Sequence, residues 1–216
     1  RGYFAATGNS TAGYFGGGYG PSTTSLMDKV TYSTDTTVAV PGAALSVARY
    51  YLAATGNSTA GYFGGGNGPH STMDKVTYST DTTEVVPGAS LAGPARSRFA
   101  ATGNSTAGYF GGGEPGPVST MDKVTYSTDT TAVVPGASLA GPARSRFAAT
   151  GNSTAGYFGG GFPGPRSTMD KVTYSSDTTA VVPGAFLSVA RRYLAASSAR
   201  ANALPATASS PVPNIV

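Results

Sequence analysis

Four Asp-Lys dipeptides are the residues of this chain whose types could support acid–base chemistry. They lie in the segment Met-Asp-Lys-Val-Thr-Tyr-Ser, which recurs at 27–33, 73–79, 121–127 and 169–175. Catalysis needs acid and base groups that converge in one pocket with perturbed pKa values. Four equivalent copies instead indicate a structural role, because a single active site would break the symmetry of the repeats. We therefore predict no enzymatic activity, and we expect Asp74 and Arg96, with their equivalents, to form structural ion pairs.

The sequence contains no pattern typical of a metal, phosphate or cofactor site. The chain has no Cys and a single His, His70, so neither a disulfide nor a thiolate metal site can form. Gly-Gly-Gly occurs once in each repeat, but a phosphate-binding Walker loop requires Gly-Lys-Ser/Thr and then a helix. Each Gly run is followed here by a Gly-Pro loop and a predicted strand, which is typical of close backbone packing. We expect no catalytic residue, no bound metal and no cofactor.

The acceptor sequence for N-glycosylation, Asn-Ser-Thr, occurs once in each repeat. Each acceptor follows a Gly, and Gly-Asn is also a turn dipeptide that suits a positive φ. We favour the turn interpretation and keep glycosylation as the alternative, which would gain weight in an exported filament. The four candidate acceptors are Asn9, Asn57, Asn104 and Asn152.

The elements that carry these residues belong to four near-identical repeats within the 216 residues. A segment running from Ala-Thr-Gly-Asn to Gly-Gly-Gly recurs unchanged at 6–18, 54–66, 101–113 and 149–161. Fixed periods of this size are typical of propellers, solenoids or arrays. The repeats span about 1–48, 49–95, 96–143 and 144–190, with a fifth copy of the first strand at 193–196.

Each period of about 48 residues predicts four short strands joined by turns. In the second repeat these strands are 51–55, 60–64, 73–79 and 83–86. The third strand alternates, with Val and Tyr on one face and Lys and Thr on the other. The segment Ser-Thr-Asp-Thr-Thr between the third and fourth strands predicts an Asx turn. Because Gly disfavours helix interiors, we expect fewer than about a tenth of the residues in helices.

Short strands at regular spacing are compatible with a propeller or a solenoid. Four strands in about 48 residues match the size of a propeller blade, whereas the coil of a β-solenoid is usually shorter. Ala-Ala-Thr in the first strand suits the narrow space near a propeller axis. The sequence therefore predicts an all-β protein, a propeller of four antiparallel blades over residues 1–196, followed by an extended Pro-, Ala- and Ser-rich tail over 197–216.

The order of features within a repeat resembles the kelch repeat. An Arg precedes the first strand, the second strand ends in Gly-Gly, the third carries an aromatic residue, and the fourth closes on Ala-Arg. The resemblance covers residues 1–196, but Val85, Val133 and Val181 stand near the place where kelch repeats usually carry Trp. Kelch propellers usually have six or seven blades, so four repeats either close as a small ring or belong to a longer array.

More narrowly, the amino-acid sequence of the repeats resembles that of kelch-like arrays of tailed bacteriophages of aquatic bacteria. Those arrays are generally regarded as virion or tail-fibre-associated proteins. This resemblance implies a non-catalytic structural or adhesive component of a phage virion that forms homo- or hetero-oligomers. Its implied partners are other virion or fibre proteins and a host surface glycan, and its implied location is the virion or the extracellular space. The alternative is a subunit of an extracellular bacterial fibre or adhesin, glycosylated at the Asn-Ser-Thr segments.

The loop between the second and third strands varies while the strands are copied. Binding residues concentrate on loops carried by rigid scaffolds, so this loop is the predicted contact surface. The net charge of +4 comes from dispersed basic residues, a pattern that disfavours nucleic-acid binding, and no apolar run approaches the roughly 18 residues of a membrane span. The candidate partner contacts are Tyr19, Asn67, His70, Glu114, Val118, Phe162 and Arg166.

Overall fold

Four antiparallel sheets of four strands, one for each repeat, make up the computed structural model, which describes residues 1–198. Within this part of the chain the helical elements are four 3-10 turns of three residues each, at Pro41–Ala43, Pro87–Ala89, Pro135–Ala137 and Pro183–Ala185. The prediction of an all-β chain with almost no helix is therefore confirmed. The predicted tail, 197–216, lies almost wholly outside the described residues.

The strands of each sheet follow one another in chain order, so that neighbours in sequence are neighbours in the sheet. Sheet 1 contains β1 (Ala5–Gly8), β2 (Ala12–Gly16), β3 (Met27–Thr31) and β4 (Thr36–Ala39). Sheet 2 contains β5 (Ala53–Gly56), β6 (Ala60–Gly64), β7 (Met73–Thr77) and β8 (Thr82–Val85). Sheet 3 contains β9 (Ala100–Gly103), β10 (Ala107–Gly111), β11 (Met121–Thr125) and β12 (Thr130–Val133). Sheet 4 contains β13 (Ala148–Gly151), β14 (Ala155–Gly159), β15 (Met169–Thr173) and β16 (Thr178–Val181).

The core of the molecule lies between successive sheets. Phe63 of sheet 2 is fully buried and faces Gly16 of sheet 1, where an added Cβ would lie 3.0 Å from its ring. Val76 belongs to the same cluster, and its alternation with half-buried Lys75 confirms the predicted faces of the third strand. Three such clusters join sheet 1 to sheet 2, sheet 2 to sheet 3 and sheet 3 to sheet 4. Each sheet therefore needs a neighbour in order to bury its apolar face.

The first strands β1, β5, β9 and β13 lie side by side in that order. Small residues line the cavity that runs between them, namely Ala6, Ala54, Ala101 and Ala149. Among the described elements the packing runs from each sheet to the next, and sheet 4 does not pack on sheet 1 to close the series. No strand forms at residues 193–196, although the Tyr193 amide donates a 2.9 Å hydrogen bond to the Arg146 carbonyl.

The hairpin between the first and second strands differs from its prediction. Neither Gly56 nor Asn57 has a positive φ. The Asn57 side-chain oxygen instead accepts hydrogen bonds from the backbone amides of Thr59 and Ala60, at 2.9 and 3.0 Å. Gly56 is required for space, since a Cβ there would lie 2.4 Å from the Ala60 carbonyl oxygen. The turn interpretation therefore holds through the Asn side chain rather than through a left-handed backbone.

Candidate functional site

The residue two places after the Arg that opens each repeat adopts a left-handed backbone. Its φ lies between 55° and 60° in all five copies, a conformation that is uncommon outside Gly. From the second copy onward, each backbone amide donates to the carbonyl of the equivalent residue one repeat earlier, at 2.8–2.9 Å. This series of hydrogen bonds brings the five side chains around one cavity. The five residues are Tyr3, Tyr51, Arg98, Arg146 and Tyr193.

We name this cavity of about 290 Å³ the axial mouth. Besides the five left-handed residues, the residue that follows each of them also lines it: Phe4, Leu52, Phe99, Phe147 and Leu194. Tyr3 and Tyr193 are more than half exposed, at 53% and 59%. The mouth therefore presents aromatic rings and guanidinium groups to solvent at one end of the row of first strands.

Ring and cation stacking arrange the side chains of the mouth. The rings of Tyr3 and Tyr51 have centroids 4.4 Å apart, and the Arg98 guanidinium lies 4.1 Å from the centroid of the Tyr51 ring. The Arg146 guanidinium lies 4.6 Å from the Phe162 ring. Cation–π attraction of this kind stabilises a guanidinium over an aromatic ring by about 0.5–2 kcal/mol, so it holds Arg98 and Arg146 in place at the mouth.

Glu114 supplies an acidic side chain at the mouth. Its carboxylate contacts Arg98 at 2.7 Å and Arg146 at 3.0 Å, and it accepts a 2.9 Å hydrogen bond from the Ser145 hydroxyl. Burial alone would lower the pKa of Arg98, but Tyr51 and the charge of Glu114 outweigh it and raise that pKa above its ordinary value. Arg98 is therefore a permanent cation beside a carboxylate that bridges two repeats.

The predicted contact loops divide into two groups. One group lies beside the mouth without lining its cavity, and each of its loops is hydrogen-bonded through its backbone to the chain segment that opens its own repeat. Its members are Tyr19, Asn67, Glu114 and Phe162. The other group has a backbone role, because each residue's carbonyl accepts the amide of the Arg that opens the next repeat. Its members are His70, Val118 and Arg166.

Buried ion pairs inside the sheets correct one of the predictions. Asp74 pairs with Arg49 at 2.8 Å, not with Arg96, and neither side chain of the pair is exposed. Arg96 instead pairs with Asp122 in β11 of sheet 3. Burial lowers the pKa of Arg49, and the charge of Asp74 opposes that effect. The Arg49 guanidinium also donates to the Phe63 carbonyl at 2.9 Å, so each opening Arg connects the first strand of its sheet to the second and third.

A second set of polar contacts joins one sheet to the next, and sequence reasoning missed it. Lys29 of sheet 1 contacts Asp81 of sheet 2 at 2.8 Å, and the Tyr14 hydroxyl donates to the same carboxylate. Tyr14 also stacks on Tyr78 with centroids 4.9 Å apart. We call this group of contacts a junction. The equivalent junctions comprise Lys75, Tyr62, Asp129 and Tyr126, and Lys123, Tyr109, Asp177 and Tyr174.

The junction between sheets 1 and 2 shifts the pKa values of Tyr14 and Asp81 in opposite directions. Burial, followed by the hydrogen bond to Asp81, raises the pKa of Tyr14 well above its ordinary value. Burial tends to raise the pKa of Asp81 as well, but hydrogen bonds from Lys29 and Tyr14 and the Lys29 charge lower it overall. The Asp predicted to form an Asx turn therefore has a left-handed backbone and a carboxylate that binds the preceding sheet. The recurrence of this Asp in all four repeats was the one sequence feature that could have drawn attention to it. No neighbouring residue indicated that its partner lies in another sheet.

The remaining site predictions concern metals, membranes and glycans. No cluster of three His, Cys, Asp or Glu residues that could hold a metal ion occurs within residues 1–198. Across the same residues, no helix has the length and apolar character that crossing a membrane would need. The Asn9 side-chain oxygen is occupied by the turn, accepting from Thr11 and Ala12, and glycosylation at the four Asn-Ser-Thr segments stays a prediction.

No model of a known protein family matches the chain, and no curated protein is similar to it in sequence. Its class is therefore defined here by the fold alone, as a tandem-repeat protein of four-stranded antiparallel sheets.

Proposed function

We propose that this chain is a non-catalytic structural and adhesive repeat protein whose axial mouth binds a glycan. The observation that carries the proposal is that the five left-handed residues line one cavity and that the variable loops lie directly beside it, where Glu114 and Phe162 contact Arg98 and Arg146. The strands and junctions are copied from repeat to repeat, so the differences between repeats are concentrated where a ligand can reach them.

The chemistry of the mouth suits a sugar. A pyranose has an apolar face that packs on aromatic rings and hydroxyl edges that need hydrogen-bond partners. Tyr3 and Tyr193 offer exposed rings, while Arg98 and Glu114 supply a charged donor and an acceptor nearby. A concave site with apolar walls and a few fixed polar groups is typical of small-ligand recognition.

The proposed architecture is a kelch-like propeller, or an arc of one, with the first strands innermost. Small Ala residues along the shared cavity and the side-by-side order of the first strands support this arrangement. In the proposed setting, a virion or tail-fibre surface, the sheets act as a scaffold and the mouth faces a host surface glycan or a neighbouring virion protein.

Glycan binding is tested on an array of bacterial surface glycans with the purified chain. We expect binding to a subset of glycans, and a loss of at least about tenfold in affinity for Arg98→Ala, because a charged hydrogen-bond donor contributes about 1.5–3 kcal/mol. Glu84→Gln is the matched control, since Glu84 lies on the exposed edge strand β8, with its side chain 66% exposed. Glycan cleavage, or binding that Arg98→Ala leaves unchanged, would contradict the proposal.

A further inference from the structure

The same junction occurs three times between successive sheets, and the two terminal sheets each carry half of it. The rear half consists of a Lys and a Tyr that reach forward to the next sheet. The front half consists of an Asp and a Tyr that receive them, together with a Thr in the fourth strand, whose hydroxyl donates to a carbonyl in the 3-10 turn that follows the preceding sheet. In sheets 2 and 3 both halves are occupied.

The rear half of sheet 4 is open. Lys171 and Tyr157 stand at the positions of Lys29 and Tyr14, but their side chains have no ion-pair or hydrogen-bond partner among residues 1–198. Met169 beside them is half-buried, whereas its three equivalents in the other sheets are fully buried. Tyr157 and Met169 line a cavity of about 260 Å³ with Leu187 and Arg191, so sheet 4 presents a largely apolar surface that carries the cations Lys171 and Arg191.

The front half of sheet 1 also lacks a partner, and its charge is opposite to that of the rear half of sheet 4. Tyr32 is 50% exposed, whereas its equivalent Tyr78 is 7% exposed. Asp35 has the left-handed backbone of the junction aspartates, with φ 51°, but no ion-pair partner among the described residues. Val30 and Phe15 are half-buried here and their equivalents are fully buried. Sheet 1 thus presents an apolar surface with one carboxylate.

We propose that a second copy of this chain docks head to tail, with the front of its sheet 1 on the rear of sheet 4. Lys171 and Tyr157 of one copy then bind Asp35 of the other, and Tyr157 stacks on Tyr32. The interface repeats a junction that the chain already forms three times, and its charges are opposite. A contact between two different surfaces forms a ring when its rotation closes and a filament when it does not.

This docking requires one segment of the chain to be displaced. Residues 193–198 lie where the first strand of a further sheet would run, held by hydrogen bonds such as that from the Gly151 amide to the Ser198 hydroxyl oxygen. They form no strand, whereas β1 of an incoming copy is paired with β2 at four positions. The incoming sheet therefore keeps its own first strand and residues 193–198 move aside, so that Tyr3 of the incoming copy takes the place of Tyr193 at the mouth.

The test is a charge exchange at the two ends, measured by sedimentation velocity of the full chain over a wide concentration series. We expect the wild-type chain to associate, and Lys171→Asp or Asp35→Lys alone to weaken association at least about tenfold, because each brings like charges together. An equimolar mixture of the two variants restores association, because each interface then joins a Lys to an Asp. Glu84→Lys makes the same change of charge as Asp35→Lys and leaves association unchanged.

Circular dichroism shows whether each variant keeps its β-structure, which we expect because Asp35 is exposed and Lys171 lies at an open face. A wild-type chain that stays monomeric at every concentration overturns the proposal. So does association that survives both charge reversals, or a mixture of the two variants that fails to restore it.

Discussion

At the scale of single residues, equivalent Arg–Asp ion pairs differ in how deeply they are buried and therefore in how much they stabilise the fold. Arg96 and Asp122 are wholly removed from solvent, whereas the equivalent pair of Arg1 and Asp28 is partly exposed, at 15% and 32%. Removing one partner of a buried pair leaves an uncompensated charge in a low-dielectric interior. The same pair at the surface is solvated and contributes little.

Asp122→Asn should therefore lower the free energy of unfolding by about 3–5 kcal/mol. The substitution also weakens the acceptor for the Gly93 amide, which donates to Asp122 at 2.9 Å. Asp28→Asn is the matched control and should cost about 1 kcal/mol or less. Urea denaturation of both variants measures the two values, and equal losses would show that burial does not control the strength of these pairs.

The junction aspartate predicts a dependence of stability on pH. Because the folded-state pKa of Asp81 lies below its ordinary value of 3.8, its stabilisation is fully present above that value. It is lost as the pH falls through the lowered folded-state pKa. Asp81→Asn should cost about 1 kcal/mol at neutral pH, and the difference from wild type should shrink below pH 3.8. A difference that stays constant down to pH 2 in urea titrations would rule out this role.

At the scale of elements, each sheet is stabilised by what its neighbour packs against it. Phe63 of sheet 2 is fully buried against sheet 1, in contact range of the Gly16 backbone. Its equivalent in sheet 1, Phe15, has no preceding sheet to cover it and is half-buried. The two positions have the same sequence context, so they isolate the contribution of sheet-to-sheet packing.

Phe63→Ala should destabilise the chain by about 3–5 kcal/mol, as for a buried aromatic residue that leaves a cavity. Phe15→Ala should cost less than half as much, because its ring already contacts solvent. Thermal and urea unfolding of both variants give the comparison. A loss under 1 kcal/mol for Phe63→Ala would show that the sheets do not pack as described.

At the scale of the whole molecule, the open series of sheets predicts a gradient of stability. In repeat proteins, stability is approximately a sum of repeat terms and nearest-neighbour interface terms. Sheets 2 and 3 have two junctions each, and sheets 1 and 4 have one each. Hydrogen exchange at low protein concentration should therefore protect β7 and β11 more strongly than β3 and β15. Equal protection in all four sheets would indicate that the series closes.

Much of the local structure could be predicted from the sequence alone. The period of about 48 residues, the four strands in each repeat and the second strand at 60–64 depend on turn residues and alternation that lie close together in the chain. The Asn turn and the alternation of the third strand are local in the same sense. Short-range patterns carry this information because neighbouring residues decide strand and turn geometry.

Only the tertiary structure decided which residues meet. Asp74 lies 25 residues after Arg49 and 22 before Arg96, so sequence spacing could not choose between the two partners. The pairing with Arg49 arises because the segment that opens the second repeat packs against sheet 2 of the same repeat. The junction of Lys29 with Asp81 spans 52 residues and depends on how one sheet stacks on the next. The axial mouth and the open ends likewise arise from the packing of each sheet on the next, which no single repeat encodes.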